Sequence, residues 1–94
     1  MGIQFEWHER KAAKNQKKHG VSFDEAATVF GDTLSITVPD PLHSSPAEER
    51  FVTLGQSAHG RLLVVVHSDS GDVVRIISAR GATTRERRDY EEKI

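Results

Sequence analysis

Residues 61–78 read RLLVVVHSDSGDVVRIIS, two apolar runs on either side of Asp69-Ser70-Gly71-Asp72. Short runs rich in Val and Ile, bounded by Gly and Asp, are strand signals, and two of them around a tight turn make an antiparallel hairpin. Arg61–Ser68 and Asp72–Ser78 carry few polar positions, so both strands are expected near the centre of a sheet with both faces covered. A lone hairpin is marginal in water. The remaining residues must supply more strands and a covering layer.

They do so in a readable order. Ile3–Trp7 alternates apolar and polar residues, a short strand. HERKAAKNQKKHG is rich in helix formers and ends in Gly20, which predicts a helix over 8–19. Ser22-Phe23-Asp24-Glu25 is a capping box, and Phe23, Ala26, Ala27 and Phe30 follow the stripe of a core-facing helix that stops at Gly31. Leu34–Val38 alternates again and stops at Pro39, and 39–49 holds all three prolines as an exposed loop. Arg50–Gln56 is a further strand. Thr83-Thr84-Arg85-Glu86 is a second capping box, opening a polar final helix to about residue 92 whose apolar anchors are Tyr90 and Ile94. The expected fold is α+β: an N-terminal strand and two helices, an antiparallel sheet of about four further strands, and a C-terminal helix. The 94 residues fit one domain, 1–94.

Composition narrows the function. There is no cysteine, so neither a disulfide framework nor a thiolate metal site or nucleophile is expected. The five histidines lack metal-site spacing, and no phosphate-binding Gly-rich loop or nucleophile elbow occurs, so metal and cofactor are both expected to be none. The longest apolar run, Leu62–Val66, is too short to span a bilayer, and MGIQFEWHER carries charges where a signal peptide would be apolar. A cytoplasmic protein with no membrane partner is expected. The net charge of −1 hides a segregation: residues 1–20 carry five basic and two acidic groups, 21–49 none and six, and 50–94 eight and six. A local basic face is therefore compatible with a neutral total.

The sharpest anomaly is Arg75, in the middle of VVRIIS. A guanidinium on a central strand must reach an acid such as Glu48 or Glu49, an anionic ligand or the sheet rim. With the hairpin turning on Ser70-Gly71, Arg75 is expected opposite Val66, and His67 opposite Val74, on the other face. Arg80 follows at the strand exit, beside a helix start that itself favours anions. Arg85, Arg87 and Arg88 are interleaved with acids, a pattern of solvated ion pairs. Lys14, Arg85 and Arg88 are the candidate RNA-backbone contacts. A residue set without thiol or metal can still cleave RNA, because the attacking group is the substrate's own 2′-hydroxyl. Arginines suit the phosphate, and Glu49, His67, Lys18 or Tyr90 are candidates for proton transfer. The alternative is a binding module for RNA or a protein, without turnover.

FEWHERKAAKNQKKHGVSFDEAATVFGD resembles the N-terminal signature of the BrnT toxins, an aromatic-Trp-Asp start followed by K-A-x-x-N-x-x-K-H-G-V-x-F-x-E-A. RIISARGATTRERRDYEE resembles the family's R-I-I-S-A-R and its E-R-R-x-Y-E helix, and ERFVTLGQSAHGRLLVVVH fits between. The resemblance covers residues 3–92. It implies a RelE-like fold and a metal-independent ribonuclease that inhibits translation. It also implies a BrnA-type ribbon-helix-helix antitoxin as partner, a homodimer within a two-plus-two complex, and DNA contact only through that antitoxin. By motif it assigns catalysis to Arg75 and Arg80, with Arg50 and the pair Lys18-His19 beside them. The chain departs from the pattern at His8, where the family has Asp. At the start of a helix, His caps poorly and brings no fixed anion.

Overall fold

The computed structural model describes residues 2–93. Five strands, β1 (Gln4–Glu6), β2 (Ile36–Pro39), β3 (Arg50–Gln56), β4 (Leu62–Ser70) and β5 (Val73–Gly81), form one sheet in the order β1-β5-β4-β3-β2. Helices α1 (Glu9–His19) and α2 (Phe23–Thr28), followed by a 3₁₀ turn Val29–Gly31, come before β2, and α3 (Thr84–Glu92) closes the chain. The fold is α+β as expected. The four later strands pair antiparallel, but β1 joins the far edge parallel to β5, with Glu6 beside Arg75.

Local chemistry explains the boundaries. α1 begins at His8, whose side chain makes no cap hydrogen bond, and ends at Gly20 in the left-handed conformation (φ 70°), with the Gly20 amide donating to the Gln16 carbonyl. Ser22 caps α2 by accepting from the Glu25 amide. Glu25 does not reach back to complete the expected box. Its carboxylate accepts from Ser57 Oγ at 2.7 Å and from Arg61 Nε at 2.9 Å, so it ties α2 to the β3–β4 connection. The second strand, expected at Leu34, begins at Ile36, because Asp32 Oδ1 and the Asp32 carbonyl bind the amides of Leu34 and Ser35 in a turn. Gly55 is required where β3 passes that turn: a Cβ there would lie 2.7 Å from Val29 Cγ1. The second capping box forms as expected, Thr83 and Glu86 satisfying each other's amides.

The helices α1 and α2 cover one face of the sheet. Val21, Phe23, Ala26 and Val29 meet Leu63, Val65, Val74, Ile76 and Ala79 in the core. Each fully buried large side chain contributes roughly 1.5–3 kcal/mol. His67 belongs to this core. It is 1% exposed, sits edge-on to Phe30 and stacks on Phe51. A carboxylate can only accept, so Nδ1 donates to Asp69 Oδ1 (2.7 Å) and Nε2 accepts from the Thr53 hydroxyl (2.7 Å). Both ring nitrogens are spent on the fold, and His67 is removed from the candidates for proton transfer.

Asn15 is the least obvious structural residue. β1 covers only residues 73–75 of β5, so the upper part of that strand has no neighbouring strand on the α1 side. Asn15 fills the gap from α1. Its side chain donates to the carbonyls of Ala79 (2.8 Å) and Val21 (3.0 Å) and accepts from the Ala79 amide (3.0 Å). Three buried hydrogen bonds at about 1 kcal/mol each, with backbone groups left unpaired on removal, set the expected cost. Asn15→Ala is expected to lose about 3 kcal/mol of stability in urea unfolding; a loss below about 1 kcal/mol would show that water replaces the side chain at that edge.

Candidate functional site

The hairpin register differs from the expectation, and the difference builds the site. Arg75 pairs with Ser68 and not Val66, because the turn is the two residues Gly71-Asp72, with Ser70 opposite Val73. Between His67↔Ile76 and Val66↔Ser78 the ladder shifts, leaving Ile77 as an extra residue in β5. Five positions separate Arg75 from Arg80, so strict alternation would put them on opposite faces. The bulge restores them to one face, Arg75 opposite Ser68 and Arg80 opposite Val64. Arg75 and His67 do lie on opposite faces, as expected. Ser68 also pairs with Arg50, so Arg50, Ser68, Arg75 and Glu6 form one row across four strands.

Within that row the charges are unequally satisfied. Glu48 takes Arg50 Nε at 3.1 Å and receives Ser68 Oγ at 3.4 Å. Arg80 makes a two-pronged pair with Glu86, at 2.8 and 2.9 Å. The ion pairs among the described residues are His43–Asp40, Arg50–Glu48, Arg61–Glu25, His67–Asp69 and Arg80–Glu86. Arg75 is in none of them and is exposed. It lines an open cleft of about 300 Å³ together with Glu6, Trp7 and His8. An exposed, unpaired guanidinium on a strand flanked by buried Val74 and Ile76 is held in place with its donors free, which is what a phosphate needs.

The other assigned residues divide between two further places. Lys14, Lys18 and His19 come together with Lys11 on α1, around a separate cleft of about 300 Å³ floored by Ile77 and Ser78. Arg85 and Arg88 lie exposed on α3, outside both clefts. Tyr90 is buried and donates its hydroxyl to Asp32 Oδ2 at 2.6 Å, which ties α3 to the turn before β2. That bond to a carboxylate, with burial, holds the phenol above its ordinary pKa, so Tyr90 is a strut and a poor proton donor. Glu49 is exposed in the loop before β3. Ile94, the other expected anchor of α3, lies outside the described residues. The sequence reading passed over Glu6 and Trp7 as parts of a site. It is the parallel pairing of β1 beside Arg75, which no local pattern announces, that brings residues 6–8 to it.

The Arg80–Glu86 pair fixes α3 against the strand exit. The Arg80 guanidinium, against an opposing cost of burial, holds the Glu86 carboxyl at about 2, with the Thr83 amide adding to it. A folded-state pKa lowered in this way gives stability that is complete above the unfolded value of about 4.3 and is lost as pH falls toward 2. Glu86→Gln is therefore expected to be less stable than the wild type at pH 7 and to converge on it as pH falls from about 5 to about 2. Thermal unfolding over that range checks this; a difference that does not vary with pH would contradict the ion pair.

Among the described residues no helix is long and apolar enough to cross a membrane. Comparison with curated proteins finds no match. A crystal structure of the Brucella abortus ribonuclease toxin BrnT superposes with a TM-score of 0.67 at 20% identity, covering 87% of this chain and 99% of that one. At that identity the likeness concerns the fold. The model of the BrnT family, ribonuclease toxins of type II toxin–antitoxin systems, matches residues 7–86. That span runs from Trp7 in the Arg75 cleft to Glu86, the partner of Arg80, and the chain belongs to the BrnT family of ribonuclease toxins.

Proposed function

We propose that this toxin is a metal-independent endoribonuclease that cuts RNA by transesterification and so inhibits translation in the cytoplasm. The observation that carries the reading is the unpaired Arg75 guanidinium in the row Arg50–Ser68–Arg75–Glu6. In this reaction the 2′-hydroxyl of the substrate attacks the adjacent phosphorus, and negative charge builds on the phosphoryl oxygens. A preplaced guanidinium stabilises that charge without reorganising. Arg75 binds the scissile phosphate, and Arg50, bound to Glu48, stands two strands away as a second cation. Arg80 serves the site by anchoring α3 through Glu86 and reaches RNA only when Glu86 yields.

Lys14, Lys18 and His19, with Lys11, form the track for flanking phosphates, and Arg85 and Arg88 extend it from α3. A BrnA-type ribbon-helix-helix antitoxin neutralises the toxin in a two-plus-two complex, which contacts DNA through the antitoxin. Segment 21–49 has no Lys or Arg, and two of its six acids, Asp24 and Glu49, are exposed and outside every ion pair; a basic antitoxin segment would dock against these.

Purified protein is expected to cleave total RNA in EDTA, or messenger RNA on ribosomes in EDTA. Arg75→Ala is expected to lower the rate about 100-fold or more, the cost of removing one preorganised charge donor, while Tm stays within a few degrees. Arg80→Ala is expected to lower both rate and Tm. Equal cleavage by wild type and Arg75→Ala would overturn the assignment of the site. Intact RNA under both conditions, with saturable salt-sensitive binding, would establish a binding module in its place.

A further inference from the structure

We propose that His8 is a catalytic residue of this chain, the base that removes the 2′-hydroxyl proton of the RNA bound to Arg75; the assignment rests on the ribonuclease reading above. Four of the five histidines are excluded by their places in the fold. His67 is buried with both nitrogens bonded, and His43 is bonded to Asp40. His19 stands among the α1 lysines, and His59 lies in the turn between β3 and β4. His8 alone among them lines the cleft of Arg75.

The local backbone explains how it is held there. His8 keeps an extended conformation (φ −89°, ψ 123°), continuing the direction of β1 before α1 begins. In an extended segment, residues 6 and 8 project to one side and residue 7 to the other. Trp7 packs edge-on against buried Phe23, with ring centroids 6.0 Å apart. The intervening side chain is thereby anchored to the core, and Glu6 and His8 are presented beside Arg75 from a fixed support. The imidazole makes no cap hydrogen bond to the helix it precedes. It is a poor choice for that helix and a free base for the cleft.

The charged groups lining the cleft with His8 are Glu6 and Arg75. They divide the work. As His8 takes the 2′-hydroxyl proton, O2′ bonds to phosphorus and the P–O5′ bond breaks. Arg75 carries the charge on the phosphoryl oxygens. The Glu6 carboxylate steadies the imidazolium as it forms, the role a carboxylate plays beside a catalytic histidine. The departing O5′ takes a proton from water, and the imidazolium returns its own to water. The products are a 2′,3′-cyclic phosphate and a 5′-hydroxyl end.

Asn and Asp are both better helix N-caps than His, so His8→Asn and His8→Asp are expected to fold with Tm unchanged or raised by a few degrees. His8→Asn is expected to cleave about 100-fold more slowly or worse, the usual contribution of a general base. A substrate with sulfur in place of O5′, whose leaving group needs no proton, is expected to leave that defect in place. His8→Asp is expected to recover part of the rate, with its pH profile displaced to lower pH, because a carboxylate is a weaker base than an imidazole. Cleavage by His8→Asn within about threefold of wild type, with Arg75→Ala inactive, would overturn the role of His8 and leave the ribonuclease reading standing. Full rescue by the sulfur substrate, or an unmoved pH profile in His8→Asp, would also overturn it. Wild-type protein that leaves RNA whole, free and on ribosomes, would overturn both.

Discussion

One extra residue in β5 decides which side chains share a face of this protein. Val74, Ile76 and Ala79 must all enter the core, yet the first two and the last have opposite parity along the strand. A regular strand cannot bury all three. The bulge at Ile77 allows it, and in doing so carries Arg75 and Arg80 to the same outer face. The core and the candidate site are thus consequences of one irregularity. The core anchors the strand through Val74, Ile76 and Ala79, and the arginines are held by the strand so anchored. The bulged Ile77 itself turns to the α1 lysines and floors their cleft.

Of the four arginines in or next to strands β3–β5, three are held by carboxylates. Arg61 is taken by Glu25, Arg80 by Glu86 and Arg50 by Glu48. The first two pairs hold elements together: α2 to the β3–β4 connection, and α3 to the end of β5. Arg75 has Glu6 beside it in the ladder and still closes no pair. Ion pairs on the surface contribute little stability, so the more telling fact is which arginine is left out. That residue lies between two buried neighbours, Val74 and Ile76.

Much of this was legible in the chain. Period-two apolar runs and the two S/T-x-x-E boxes located every strand and helix to within a few residues, because those patterns act locally. Arg75 stood out because a charge inside VVRIIS conflicts with its surroundings. The misses are long-range. Glu25 looked like half of a capping box, and its true partners lie 32 and 36 residues away. Asn15 looked like one polar residue on a polar helix, and it completes the edge of β5, 64 residues on. The parallel pairing of β1 with β5, which assembles the Arg75 cleft, has no local signature. The bulge had one: consecutive isoleucines followed by a change in the parity of apolar residues.

The proposed function requires RNA phosphate to engage the outer sheet face at Arg75. It is tested most directly by NMR titration with a short RNA whose 2′-hydroxyls are methylated, so that it binds without being cut. The largest shifts are expected at the Arg75 Nε–H and at the amides of Glu6, Trp7, His8 and Ser68, with smaller ones along α1 at Lys11, Lys14 and Lys18. Shifts confined to α2 and β2, or to the α1 lysines with Arg75 unmoved, would contradict it.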